Sequence, residues 1–416
     1  MMPGLDLGSV SVSRLSNGLT VAVMESKHAP IASTVLWFRV GAADEPRASG
    51  GIAHFLEHMM FKGSSSFGPG EVDRLTQAMG GSNNAFTGHD STAYYFQFAS
   101  DCWWHALDIE ADRMGGLALD PVELEHERQV ILEEISMYRS DPWDALERQV
   151  QALLFGDHPY GRPVLGTPGE LLATSDTDLR DFHRRYYSPD NAVLVVAGDV
   201  GEGALERVEE AFEGVGAPTN PRRAGGPPPP AGRLRRVQRR QGDVARMVWS
   251  TPAPVWGDVI HAPLRLLLQL LCEGRSSLLQ RALVEEGQLC SWVSGELSSN
   301  LQPGSMSVAV ELLPGVEPQR VEEEVFRLLA GALEALPGAR ELERAKRTYE
   351  ADWVFAHERV HQRALTVASA LALFDLDFPQ SYMQSVLSST AEEVLAAGQQ
   401  CLRLDRGVLG WSLPEV

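Results

Sequence analysis

The densest chemistry in the chain lies in Gly50-Gly51-Ile52-Ala53-His54-Phe55-Leu56-Glu57-His58-Met59-Met60-Phe61. The stretch reads as a helix. At about 100° per residue, His58 falls about 40° around from His54 and Glu57 about 60° to the other side, so the three share one face. Two imidazoles one turn apart can grip one metal ion. Glu57 follows rather than precedes the gap between the histidines, inverting the HExxH order, and is placed to act on a metal-bound water instead of completing the ligand set. A hydrolytic zinc site keeps three protein ligands and one open position, so a third ligand must come from elsewhere. The best region for it is Glu127-Arg128-Gln129-Val130-Ile131-Leu132-Glu133-Glu134. Glu127 and Glu134, seven residues apart, are about 20° from eclipsed and so share a helical face, whereas Glu133 points about 100° away. Val130, Ile131 and Ile135 keep this helix from being wholly exposed, and a buried carboxylate needs a cation or a donor.

The chain that must position these groups has 416 residues, 44% hydrophobic and 22% charged, a composition that disfavours both wholesale disorder and a membrane bundle. Its length predicts two to four domains with full cores. A net charge of −20 disfavours nucleic acid and anionic membrane surfaces and favours cationic partners. The four cysteines, Cys102, Cys272, Cys290 and Cys401, form no CxxC pair and read as buried free thiols. With no basic-then-apolar leader at the N-terminus and no run of about 18 apolar residues, the expected setting is reducing and cytoplasmic.

Gly214 to Gly232, with the run Pro227 to Pro230, reads as an extended linker. It sets the expected organisation: an N-terminal domain over 1–215, a Gly/Pro-rich linker over 216–231, and a C-terminal domain over 232–416. The arginines from Arg233 to Arg240 read as a solvated strand or linker face. Periodicity predicts strands over 19–24, 31–40, 93–98 and 192–197, and helices over 51–61, 72–79, 102–117 and 122–139. The second half repeats the style, with strands over 244–250 and 305–312 and helices over 262–271 and 321–336. Two halves of similar length with interleaved strands and helices suggest a duplicated unit.

Several stretches together give the chain a closer relation. They are Leu15 to Leu19, Gly41 to Glu45, Gly51 to Gly63, Gly80-Gly81-Ser82-Asn83-Asn84-Ala85-Phe86-Thr87, Glu127 to Glu134, His158-Pro159-Tyr160-Gly161 and Tyr187-Ser188-Pro189-Asp190-Asn191. Across most of residues 14–200 the sequence resembles the pitrilysin/insulinase family of zinc metallopeptidases, in the short-chain branch that includes mitochondrial processing peptidase and its bacterial relatives. The resemblance implies an α+β fold of two homologous domains, each a mixed, mainly antiparallel sheet covered by helices. It implies one Zn2+ per chain on His54, His58 and Glu134, with Glu57 as general base, Glu127 as the carboxylate behind the ligands, and Asn84, Ala85, Phe86 and Thr87 as the edge strand to which an extended peptide adds. The expected activity is hydrolysis of peptides or unfolded segments. The alternative is a noncatalytic scaffold or assembly subunit of the same fold. His89, His105, His126 and His158 have no partner at ligand spacing and read as structural.

Many members of that family carry, in the second domain, an arginine and a tyrosine that hold the substrate backbone. Here Leu278 stands at the arginine position and Ser291 at the tyrosine position, and Arg275 is poorly placed to substitute. A leucine cannot donate to a carbonyl. The expectation is a heterodimer enclosing a chamber, in which a homologous subunit lacking HxxEH supplies the pair, with a homodimer as the rival. The acidic helical stretch from Cys102 to Glu147 suggests a negative chamber preferring basic peptides.

Overall fold

A computed structural model describes residues 7–47, 49–216, 232–335 and 337–415. The linker expected over 216–231 lies, Gly216 apart, outside the described residues. The chain forms two compact units, one of Met1–Ile135, Arg162–Ala224 and Val354–Pro379, the other of Ser136–Gly161, Gly225–Trp353 and Gln380–Val416. Each unit thus borrows a segment from the other half of the sequence.

The first unit is built on strands β1 (Ser11–Arg14), β2 (Thr20–Glu25), β3 (Ile31–Phe38), β4 (Ser82–Thr87), β5 (Thr92–Ala99) and β6 (Ala192–Gly198). They pair in the order β1-β2-β6-β3-β5-β4, antiparallel everywhere except between β2 and β6. β3 is buried after its first residue and β6 throughout, because both faces of the central strands are covered. On one face Leu36, Phe38, Tyr94, Phe96, Leu194 and Val196 join Phe55, Leu56 and Ile131 of the helices expected to bear the ligands. On the other, Val35, Trp37, Ala93, Val193 and Val195 meet Ala364, Val367, Ala368 and Ala372 of the helix Val360–Leu373, whose small residues allow close approach.

The second unit holds β7 (Arg235–Arg240), β8 (Arg246–Ala253), β9 (Cys290–Leu297), β10 (Gly304–Leu312) and β11 (Val408–Leu413), in the order β7-β11-β8-β10-β9. Only β7 and β11 are parallel. With β1 set aside, this is the connectivity of the first sheet, strand for strand. The fold is α+β with two such domains, and the arginines of β7 lie on an exposed edge strand. Among the described residues no helix is long and apolar enough to cross a membrane. Cys272, Cys290 and Cys401 are buried free thiols, and Cys102 is half-buried.

The acidic stretch from Cys102 to Glu147 runs through three helices, the two expected and one more: His105–Gly116, Pro121–Ser140 and one that begins at Pro142 and runs to Phe155. Leu119 takes a left-handed φ of 49° at the first break. At the second, Asp141 caps the new helix by accepting from the N–H groups of Trp143 and Asp144, and Pro142 occupies its first turn.

Candidate active site

The helix Ile52–Met59 carries His54, Glu57 and His58. Its start is fixed by two features. Gly51 has φ +89°, and a Cβ there would come within 2.5 Å of the Leu165 carbonyl oxygen, so only glycine fits. The buried Glu45 carboxylate then accepts from the N–H groups of Gly51 at 3.0 Å and Ala53 at 2.9 Å, satisfying two amides of the first turn. The helix Pro121–Ser140 packs through Leu124, Ile131 and Ile135 and presents Glu127 and Glu134 to the motif helix.

Glu134 Oε2 lies 3.6 Å from Nε2 of both His54 and His58. That exceeds a hydrogen bond but is close to the ~3.4 Å between two ligands of one tetrahedral zinc ion. The same oxygen is buried with no hydrogen-bond partner. One donor atom from each of the three residues lies within 4.8 Å of the others, and among the described residues no other group of His, Cys, Asp or Glu converges this way. Two imidazole nitrogens and a carboxylate oxygen that is itself buried and without a hydrogen-bond partner fit a zinc ion.

Behind the histidines, His58 Nδ1 is 2.8 Å from Glu127 Oε1, and Lys62 Nζ is 2.8 Å from Glu127 Oε2. Burial works to lower the His58 pKa, but the Glu127 and Glu134 carboxylates outweigh it and push it up to about 9. Burial, then the neighbouring His58, drop His54 to about 4. A proton shared between His58 Nδ1 and Glu127 leaves Nε2 as the nitrogen facing Glu134.

Glu57 accepts a hydrogen bond from the hydroxyl of Thr87, at the end of β4. Burial pushes the Glu57 carboxyl above its usual range, and the Thr87 hydrogen bond opposes this. Among the described residues β4 pairs only with β5 and forms the outer edge of its sheet. Its alternation sends Ala85 and Thr87 to the face of the motif helix, whereas Phe86 packs edge-on against Trp37 at 5.3 Å on the opposite face, the side shared by Asn84.

Of the residues singled out in the sequence, His54, Glu57, His58, Glu127, Glu134 and Thr87 thus come together, while Glu133 is exposed. His89 bonds the Arg162 carbonyl and His158 the Gln302 side chain. In the second unit Arg275 donates through Nε and Nη2 to Glu285, Leu278 packs on the core, and the Ser291 hydroxyl donates to Glu311. Sequence reasoning gave no role to Lys62 or Glu45, although both fall inside the stretches that carry the family likeness; Lys62, four residues after His58, was the readable signal.

Comparison with known proteins extends these findings. Residues 20–168 match the family profile described as Insulinase (Peptidase family M16), and residues 175–349 match Peptidase M16 inactive domain. A protein of Mycobacterium leprae (strain TN), named an uncharacterized zinc protease, is 35% identical over 329 residues, 76% of this chain and 73% of the relative. A zinc protease of Helicobacter pylori (strain ATCC 700392 / 26695) is 28% identical over 403 residues, covering 93% of this chain and 88% of the relative. The crystal structure of a protease from Helicobacter pylori superposes with a TM-score of 0.92 at 24% identity, covering 98% of this chain and 100% of that one. That of a peptidase M16 inactive domain from Pseudomonas fluorescens gives 0.87 at 18% identity, covering 98% and 99%. These two structural likenesses speak for the fold alone. Taken with the profile matches and the mycobacterial relative, they place the chain in the insulinase family, peptidase family M16.

Proposed function

We propose that the chain is a zinc-dependent metalloendopeptidase acting on peptides or unfolded protein segments. The observation that carries this reading is the buried, unpartnered Glu134 Oε2 facing Nε2 of both His54 and His58 at 3.6 Å. In this reading His54, His58 and Glu134 hold the ion. Zinc, when bound, supplies polarisation of the scissile carbonyl and activation of the attacking water. Glu57 takes the proton of that water and returns it to the leaving amine nitrogen, a role suited to a carboxyl whose pKa burial has raised. Thr87 holds the Glu57 carboxylate through its hydroxyl. Glu127 fixes the His58 ring from behind. The outer edge of β4 offers main-chain groups to an extended peptide, which favours unfolded substrates with loose sequence preference.

The second unit supports the further reading that the chain works as the zinc-bearing subunit of a dimer. Arg275 pairs with Glu285 at the surface and Leu278, packed on the core, has no donor to offer, so a substrate-holding arginine and tyrosine would come from a homologous subunit lacking HxxEH.

The test is cleavage of a quenched fluorescent peptide library by the zinc-loaded chain, alone and co-purified with the product of its neighbouring gene, with Glu57→Gln as control. Cleavage in either preparation, abolished by Glu57→Gln with zinc retained, is the expected result. Zinc bound by both preparations and no peptide cut by either would instead make the chain a noncatalytic scaffold.

A further inference from the structure

We propose that Lys62 is a positioning residue of the metal centre, acting through Glu127 to hold the His58 ring; the inference rests on the zinc reading above. The two oxygens of Glu127 are divided between two partners. Oε1 lies 2.8 Å from His58 Nδ1, and Oε2 lies 2.8 Å from Lys62 Nζ. The Glu127 side chain is only 7% exposed, so water does little to stabilise its charge or to fix the carboxylate plane. An anionic carboxylate buried against one imidazole alone would be costly and could rotate about its terminal torsion. The Lys62 ammonium removes both difficulties. It balances the charge and pins Oε2, which leaves Oε1 as the acceptor for His58 Nδ1 and so turns Nε2 toward Glu134.

The placement of Lys62 in the chain makes this contact effective. Its N–H donates to the Met59 carbonyl at 3.0 Å, so it belongs to the turn that closes the motif helix. The link from Lys62 through Glu127 to His58 therefore leaves and re-enters one rigid segment by way of the helix Pro121–Ser140, and shifting any member moves the ligand. Lys62 is 33% exposed, so a methionine of similar length can replace it without opening a buried cavity.

The experiment measures zinc affinity by competition with a chromogenic chelator for wild type, Lys62→Met, Lys62→Arg, Glu127→Gln, and the Lys62→Met/Glu127→Gln double variant. Lys62→Met is expected to weaken zinc binding by about tenfold, the lower end for groups that orient metal ligands, and Lys62→Arg to restore most of it. In the Glu127→Gln background Lys62→Met should have no further effect, since the lysine acts only through that carboxylate. In the nitrogen-15 NMR spectrum the His58 Nδ1–H signal should broaden or shift in Lys62→Met and return in Lys62→Arg, a readout that a purely stabilising role would leave in place. Tight wild-type binding with Lys62→Met unchanged, or an additive loss in the double variant, overturns the inference and leaves the zinc reading standing. A wild-type chain that takes up no zinc overturns the zinc reading, and this inference with it.

Discussion

At the scale of single residues, the contact between Thr87 and Glu57 changes what the end of β4 does. The sequence places Thr87 on a strand that a substrate would pair with through its backbone. Its hydroxyl instead reaches the carboxylate proposed as the base. Replacing Thr87 with valine keeps the shape and the strand preference and deletes only that donor. The expected outcome is a fall in kcat of about tenfold, a fraction of the 10²–10⁴ that a positioned base contributes, with KM and zinc content unchanged. Steady-state kinetics on one fluorogenic peptide decides it: a raised KM at constant kcat would return Thr87 to substrate binding. The histidines, Glu57 and the phase of Glu127 and Glu134 were legible because each lies within one helix, where a 3.6-residue period fixes the face. The contacts of Thr87 and Lys62 were not read: Thr87 reaches the site across a sheet edge, outside that period, and Lys62, although one turn after His58, meets Glu127 just past the helix end.

At the scale of elements, the helix His105–Gly116 buries a full ion pair in the core of the first unit. Arg113 donates to Glu110 at 2.7 and 2.6 Å, and the two side chains are each 1% exposed. The guanidinium also lies 4.2 Å from the Tyr94 ring centroid and 5.3 Å from that of Phe61, the residue two past the motif helix. Glu110→Ala leaves that cation buried without its anion. The expected loss is about 3–5 kcal/mol of unfolding free energy, read as a lowered urea midpoint, and Glu110→Leu combined with Arg113→Met should recover most of it. Equal loss in the single and double variants would mean that packing, not the unpaired charge, sets the cost. Glu110 and Arg113 stand three residues apart, the spacing of an ordinary helix-surface pair, and nothing in the one-dimensional pattern says which side of an amphipathic helix meets aromatic rings. Strands were legible where β-branched runs are buried on both sides, as in β3 and β6. β9 was missed because Ser291, Ser294, Gly295 and Glu296 dilute its β preference at a sheet edge. β11 was missed because Gly410 interrupts it, and that glycine is required: a Cβ there would come within 2.5 Å of Val150.

At the scale of the whole molecule, the matching connectivity of the two sheets makes their difference in chemistry informative. The helix Ile52–Met59 follows β3, and its counterpart after β8 is His261–Cys272. There the inward face is Leu264, Leu267, Leu268 and Leu271, and the lone histidine, His261, is held by Tyr382 and the Ser298 carbonyl. The repeated framework thus carries the candidate metal cluster in one copy and apolar core at the matching place in the other. This fixes an expected stoichiometry of one zinc per chain, lost in Glu134→Gln, and native mass spectrometry can count it. The same count separates the two proposed assemblies. A homodimer carries two ions in two chains, while a heterodimer with a subunit lacking HxxEH carries one. If the species that cleaves peptide holds two ions and two copies of this chain, the substrate-holding arginine and tyrosine do not come from a second kind of subunit. Leu278 and Ser291 would then mark a substrate grip built differently from that of the relatives in which the pair is present.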